Sequence, residues 1–173
     1  MNSNTNSPVV KQLVLLGGGH SHLAVLKQFG MNPVPGLALT LISADIETPY
    51  SGSLPGYISG IYDRDEIHID LRPLAQFAGA RLIQSEITRI DFEQKIIHCE
   101  GRPTINFDFI SLNIGSKPNA IKIPGASEFA IGIKPIDRFL IHWQQLYSDM
   151  LSAIGSEKKS YRFMIVGGGP ASV

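Results

Sequence analysis

The chain has 173 residues, enough for about one domain with a core of its own. Apolar residues make up 43% of it, which excludes a disordered linker, and its 17 glycines and 11 prolines call for more tight turns than a helical bundle needs. Lys and Arg number 15 against 15 Asp and Glu, with no basic run, so no nucleic-acid partner is expected, because phosphate neutralisation supplies most of that affinity. Cys99 is the only cysteine, which excludes an intrachain disulfide and a zinc site of several thiolates.

Met1 to Val9 is mostly Asn, Ser, Thr and Pro, and residues 1–10 read as a disordered lead-in. No basic segment followed by an apolar one precedes Lys11, and no run approaches the ~20 apolar residues that span a bilayer, so a cytoplasmic chain without a transmembrane segment is expected. Gln12 to Leu16 is a short buried-type strand. Gly17-Gly18-Gly19 turns the chain, and His20 to Phe29 carries Leu23, Leu26 and Phe29 at helical spacing, with Gly30 as its stop. Leu37 to Ser43 is a second strand, so the first 30 or so residues after Lys11 form a parallel βαβ crossover.

Ala44 to Gly60 reads as a functional loop. Asp70 should cap a helix over Leu71 to Phe77, closed by Gly79. Arg81 to Gln84, Glu86 to Ile90 and Lys95 to Cys99 read as strands, with a turn over Asp91 to Gln94. Ile105 to Ile114 reads as one apolar strand ending at Gly115, and Pro118, Pro124 and Gly125 mark a linker. Asp137 should cap a helix with Phe139, Trp143, Leu146, Tyr147 and Met150 on one face. Gly155 to Ser160 is a polar connection to a strand over Tyr161 to Val166, followed by a second triplet, Gly167 to Gly169. Too few residues follow it to make a helix, so the chain reads as a fragment.

Strand, G-x-G, helix is a phosphate-binding geometry, because glycines let the backbone approach a diphosphate and the helix N-terminus offers N–H groups and partial positive charge. Gly17 and Gly19 fill the first two positions, and His22 stands where a third glycine or alanine packs helix against strand. Ser43 or Asp45, at the end of the second strand, could hold a ribose hydroxyl. His20 and His22 do not share a helix face and lack a third ligand nearby, so no metal site is expected; the pair reads instead as packing near the phosphates or at the helix–sheet contact. His68, His98 and His142 show no partner pattern, Cys99 reads as a small core hydrophobe, and the Trp143 stripe reads as core.

Three segments, LVLLGGGHSHLAVL, FDFISLNIGSKPN and FMIVGGGP, together resemble the flavin-dependent pyridine nucleotide–disulfide oxidoreductase superfamily. Asn113-Ile114-Gly115-Ser116-Lys117-Pro118 stands where that family has Ala-Thr-Gly-Ser-x-Pro. The segments GGGHSH, TPYSGSLPGYISG and IHIDLRPLAQFAGARL are similar to the NADH dehydrogenase-like module fused ahead of selenide, water dikinase in some bacteria. The resemblance covers nearly all of residues 11–173.

It implies an α/β fold: a Rossmann-like FAD-binding domain over 11–125 with a parallel sheet and a β-meander crossover, a linker and helix over 126–160, and the opening of a nicotinamide-binding domain over 161–173. It implies FAD as cofactor and NAD(P)H as co-substrate of the parent protein, with a small-molecule electron acceptor such as a quinone and a fused kinase domain as candidate partners. Gly17, Gly18, Gly19, His20 and Ser21 would meet the diphosphate, Ser43 the adenosine ribose, and Ile87 the adenine through its backbone. Asn113, Ile114 and Gly115 would pass the phosphate-ribityl region, and Thr48, Pro49 and Tyr50 the isoalloxazine. Tyr50 and Lys117 are the polar groups nearest the implied flavin edge, and no acid, base or nucleophile is assigned. The competing readings are a nucleotide-binding fragment without turnover, and a selenophosphate-synthesis role through the fused kinase. Nothing in these residues phosphorylates, since a G-x-x-x-x-G-K-[ST] loop is lacking.

Overall fold

A computed structural model describes residues 8, 11–116, 123–154 and 160–168. Most of the expected lead-in, Lys117 and Pro118 of the linker, most of the 155–160 connection and the end of the second glycine triplet lie outside them. In chain order the elements are β1 (Lys11–Leu16), α1 (His20–Met31), β2 (Leu37–Ser43), β3 (Glu47–Pro49), a 3₁₀ turn at Ser51–Ser53, α2 (Leu54–Ile58), β4 (His68–Asp70), α3 (Leu71–Phe77), β5 (Arg81–Gln84), β6 (Ile87–Asp91), β7 (Ile96–Cys99), β8 (Ile105–Asn106), β9 (Phe109–Leu112), α4 (Ala126–Phe129) and α5 (Ile136–Ser152). They divide into two compact units, Met1–Thr48 with His68–Gly115, and Pro49–Ile67 with Ser116–Val173.

The first unit is built on a four-stranded parallel sheet in the order β5-β2-β1-β9. Alternation along the strands feeds two cores. Val14, Leu16, Ile42 and Ile83 point to one face, where Ile97 and Cys99 of β7, in the antiparallel β6-β7-β8 sheet, and Phe107, just after β8, cover them. Leu15, Leu39 and Leu41 point to the other, against Leu23 and Leu26 of α1 and Leu71 of α3. Full burial of each such side chain stabilises by about 1.5–3 kcal/mol. The result is the expected Rossmann-like α/β layering with a meander on one face.

Local signals place several elements where the sequence put them. Asp70 accepts the Arg72 N–H at 2.9 Å and caps α3, and Gly79 follows at φ +63°. Its carboxyl is held below the usual range, first by the Arg72 guanidinium. Asp91 accepts from the Glu93 and Gln94 N–H groups and makes the β6–β7 turn, with Lys95 at φ +55°.

Other elements differ from the sequence reading. The apolar run Ile105 to Ile114 is two strands, because Asp108 interrupts it: its carboxylate accepts the Gln12 N–H at 2.7 Å and the Lys11 ammonium at 3.0 Å. The chain thereby changes sheets, β8 pairing with β7 and β9 with β1. Gly30 does not stop α1, which runs to Met31; a Cβ there would enter the Phe77 ring, so this glycine serves a close approach of α1 and α3.

In the second unit, part of the expected loop folds as α2, and Leu54 and Ile67 pack with Ile136 and Leu140 of α5. Pro135, with extended backbone, is the N-cap of α5, so Asp137 lies inside the first turn rather than capping it. Ile136 and Leu140 are the buried positions of that helix, and Tyr147 is half exposed. Tyr161–Val166, expected as a strand, has no ladder partner among the described residues and is exposed; an apolar run becomes a strand only by pairing.

Candidate functional site

Three glycines join β1 to α1, each against a different neighbour. Gly17 sits at φ +90°, and a Cβ on it would meet the Asn113 carbonyl and come within 2.7 Å of the Ile114 Cα. Its N–H donates to the Ile42 carbonyl at 2.7 Å. Gly18 is buried, and its Cβ would fall 2.6 Å from Leu71 Cδ1 and 3.2 Å from Ser43 Oγ. Gly19 is the N-cap of α1; its N–H donates to the Asn113 carbonyl at 3.1 Å, and its Cβ would enter the Asn113 carboxamide. No side chain caps α1 and no acidic residue occupies its first turn, so the helix's own side chains leave the positive end of its dipole uncompensated.

Asn113 follows β9 and lies over this turn. Its N–H donates to the Leu16 carbonyl at 2.8 Å, which carries β9 up to the end of β1. Its side-chain Nδ2 is buried and has no hydrogen-bond partner among the described residues. A donor buried that way costs about 1–3 kcal/mol. Beside a glycine turn and a helix N-terminus, the complement to that donor is an anionic oxygen. These residues fit a dinucleotide diphosphate: a backbone cradle without Cβ atoms, a helix dipole, and a side-chain amide with unused donor capacity.

His22, at the third position of the glycine pattern, is 2% exposed. Its Nδ1 lies 2.7 Å from the Gly17 carbonyl and its Nε2 2.9 Å from Ser111 Oγ on β9. The sequence placed the histidine pair near the phosphates or the helix–sheet contact; His22 takes the helix–sheet position. Its partners were not foreseen. The available signal was size: an imidazole where the pattern has glycine or alanine needs room, which the short Ser111 gives.

The turn brings together Gly17, Gly18, Gly19, Asn113 and Ile114, with His20 and Ser21 exposed on the first turn of α1. Ile114 is 68% exposed, and Gly115, at φ +79°, has open space where a Cβ would be. Ser43 is buried at the end of β2 with its hydroxyl toward Gly18, whereas Asp45 is exposed just beyond. Ile87 opens β6, pairs with Cys99 and packs against the meander-side core. Thr48 lies on β3; Pro49 and Tyr50 belong to the second unit, where the Tyr50 ring covers Gly52 and its N–H donates to the Ile67 carbonyl. Cys99 is buried, and burial pushes its thiol up. Among the described residues no group of three or more His, Cys, Asp or Glu is placed to hold a metal, and no helix is long and apolar enough to cross a membrane.

No protein-family model matches the chain. It is 30% identical over 142 residues to the NADH dehydrogenase-like protein YutJ of Bacillus subtilis, a match over 79% of this chain and 38% of that protein. It is 25% identical over 190 residues to the external alternative NAD(P)H-ubiquinone oxidoreductase B4, mitochondrial, of Arabidopsis thaliana, over 100% of this chain and 32% of that protein. The sulfide:quinone oxidoreductase from Aquifex aeolicus shares the fold, with a TM-score of 0.68 and 22% identity over 82% of this chain and 33% of that one. The chain thus spans about a third of the length of these relatives.

Proposed function

We propose that this chain is the flavin-binding part of an NAD(P)H-dependent oxidoreductase, holding the FAD diphosphate at the Gly17–Gly19 turn. The observation that carries the reading is the buried Nδ2 of Asn113, without a partner among the described residues, in a carboxamide set against Gly19 at the start of α1, which no side chain caps. Two relatives named for NADH or NAD(P)H oxidation support it. When bound, FAD supplies the hydride chemistry between a nicotinamide and an acceptor such as a quinone.

The chain's own residues bind and orient. Gly17, Gly18 and Gly19 let the backbone close on the diphosphate, and the α1 dipole, opening at His20 and Ser21, offsets its charge. Asn113 adds a neutral donor, so it attracts the anion without titrating. Ser43 or Asp45 holds the adenosine ribose. The adenine contact at Ile87, the ribityl contact at Ile114 and Gly115, and the flavin-ring contacts at Thr48, Pro49 and Tyr50 rest on the family resemblance. So does a parent in which a selenide, water dikinase domain follows, a form that the TPYSGSLPGYISG segment supports; reading the gene past codon 173 tests it.

The test of the reading is a titration of the chain with FAD, followed by flavin fluorescence. Saturable one-to-one quenching, with no quenching by riboflavin at the same concentration, is expected, because the diphosphate carries recognition. Equal response to both, or none to either, overturns the reading.

A further inference from the structure

We propose that His22 is a positioning residue that locks the glycine turn in its anion-binding shape and couples it to β9. This deepens the proposed function and rests on it. The Gly17 carbonyl can only accept, so the ring nitrogen 2.7 Å from it, Nδ1, carries the proton. In the neutral imidazole Nε2 is then the acceptor, and the Ser111 hydroxyl, 2.9 Å away, donates to it.

One buried ring therefore joins the glycine turn to the strand that delivers Asn113, reaching Ser111, 89 positions along the chain from His22 itself. Among the described residues four hydrogen bonds hold the turn. Gly17 N–H is fixed to β2 through the Ile42 carbonyl, Gly17 C=O to α1 through the His22 ring, Gly19 N–H to the Asn113 carbonyl, and Gly19 C=O to the His22 N–H. Of these, only the His22 ring contact is made by a side chain, so only it can be removed without altering the backbone. Gly17 at φ +90° has no Cβ to limit its rotation. Without the imidazole, the Gly17–Gly18 peptide loses the bond that fixes its carbonyl, and the turn that would close on the diphosphate loosens at that point. A glycine or alanine at this position fills the helix–sheet contact by packing alone; His22 fills it with two directed hydrogen bonds.

The experiment has two arms on the full chain. In the first, ¹⁵N spectra of the histidine rings read the tautomer without any cofactor. The Nδ1–H neutral form at His22 is expected, and in Ser111→Ala it should persist, because the Gly17 carbonyl fixes it, while the Nε2 resonance shifts as that nitrogen loses its donor. An Nε2–H ring, or a ring unmoved by Ser111→Ala, overturns the proposal. In the second, FAD affinity is compared across wild type, Ser111→Ala and His22→Ala, with and without added imidazole. We expect a loss of about three-fold for Ser111→Ala and ten-fold or more for His22→Ala, with imidazole restoring most of the latter. Affinity unchanged in both variants overturns the proposal, as does a loss in a folded His22→Ala protein that imidazole leaves untouched. Should His22→Ala fail to fold, Ser111→Ala and the tautomer decide. A wild-type chain that binds no FAD while showing the Nδ1–H tautomer sinks the proposed function and leaves the strut standing.

Discussion

Gly30 offers a sharp test of the packing between α1 and α3. It sits one residue from the end of α1, outside the positive-φ region, so alanine suits its backbone and by helix propensity alone should stabilise by about 0.5–1 kcal/mol. The added Cβ, however, enters the edge of the Phe77 ring, with even Cγ at 3.0 Å. Forcing a methyl into such a contact costs about 1–3 kcal/mol, so Gly30→Ala should destabilise by about 1 kcal/mol net. Phe77 is 55% exposed, so Phe77→Ala alone should cost about 1 kcal/mol. In that background the ring is gone and the sign reverses: Gly30→Ala should stabilise. Urea unfolding of the four proteins by far-UV circular dichroism closes this cycle, with an expected coupling of about 1–3 kcal/mol. A Gly30→Ala protein more stable than wild type, by the same amount in both backgrounds, would show that the Phe77 ring does not crowd this position.

Gly17→Ala combines a strained φ with a backbone collision, so it should cost about 2 kcal/mol in urea and abolish FAD quenching. Gly19→Ala displaces the Asn113 carboxamide without a φ penalty; it should weaken FAD binding at least ten-fold while urea stability moves less than in Gly17→Ala. Asp108 is held below the usual carboxylate range, first by the Gln12 N–H and then by Lys11. Its stabilisation is therefore full above the unfolded value of about 3.9 and disappears as pH falls through the lower folded value. The urea midpoints of wild type and Asp108→Asn should accordingly differ at pH 5 and converge toward pH 2. Cys99 is buried with its thiol pushed up, so a thiol reagent at pH 8 should react at the rate of unfolding, and reaction as fast as with free cysteine would contradict that burial.

The strands and turns read correctly from sequence are those whose signal is local. Leu37 to Ser43 is uninterrupted and bounded by Gly36, Asp70 announces α3, and Asp91 makes its own turn. The errors arise where a distant residue decides. Asp108 breaks the 105–114 run because Gln12 and Lys11, nearly a hundred positions earlier, claim its carboxylate. Gly30 looks like a stop until Phe77 is seen beside it, and α2 forms where Leu54 finds α5. At the candidate site the glycines were apparent from spacing, but the donor on Asn113 and the His22–Ser111 bridge needed β9 placed beside β1.

The proposed seat of the anionic dinucleotide is the start of α1. Amide-resolved NMR of the ¹⁵N-labelled chain during FAD addition tests it most directly. The amides of Gly17 to His22 and of Asn113 to Gly115 should shift together and saturate at one equivalent. Shifts confined to residues away from the turn, or none at saturating FAD, would contradict it.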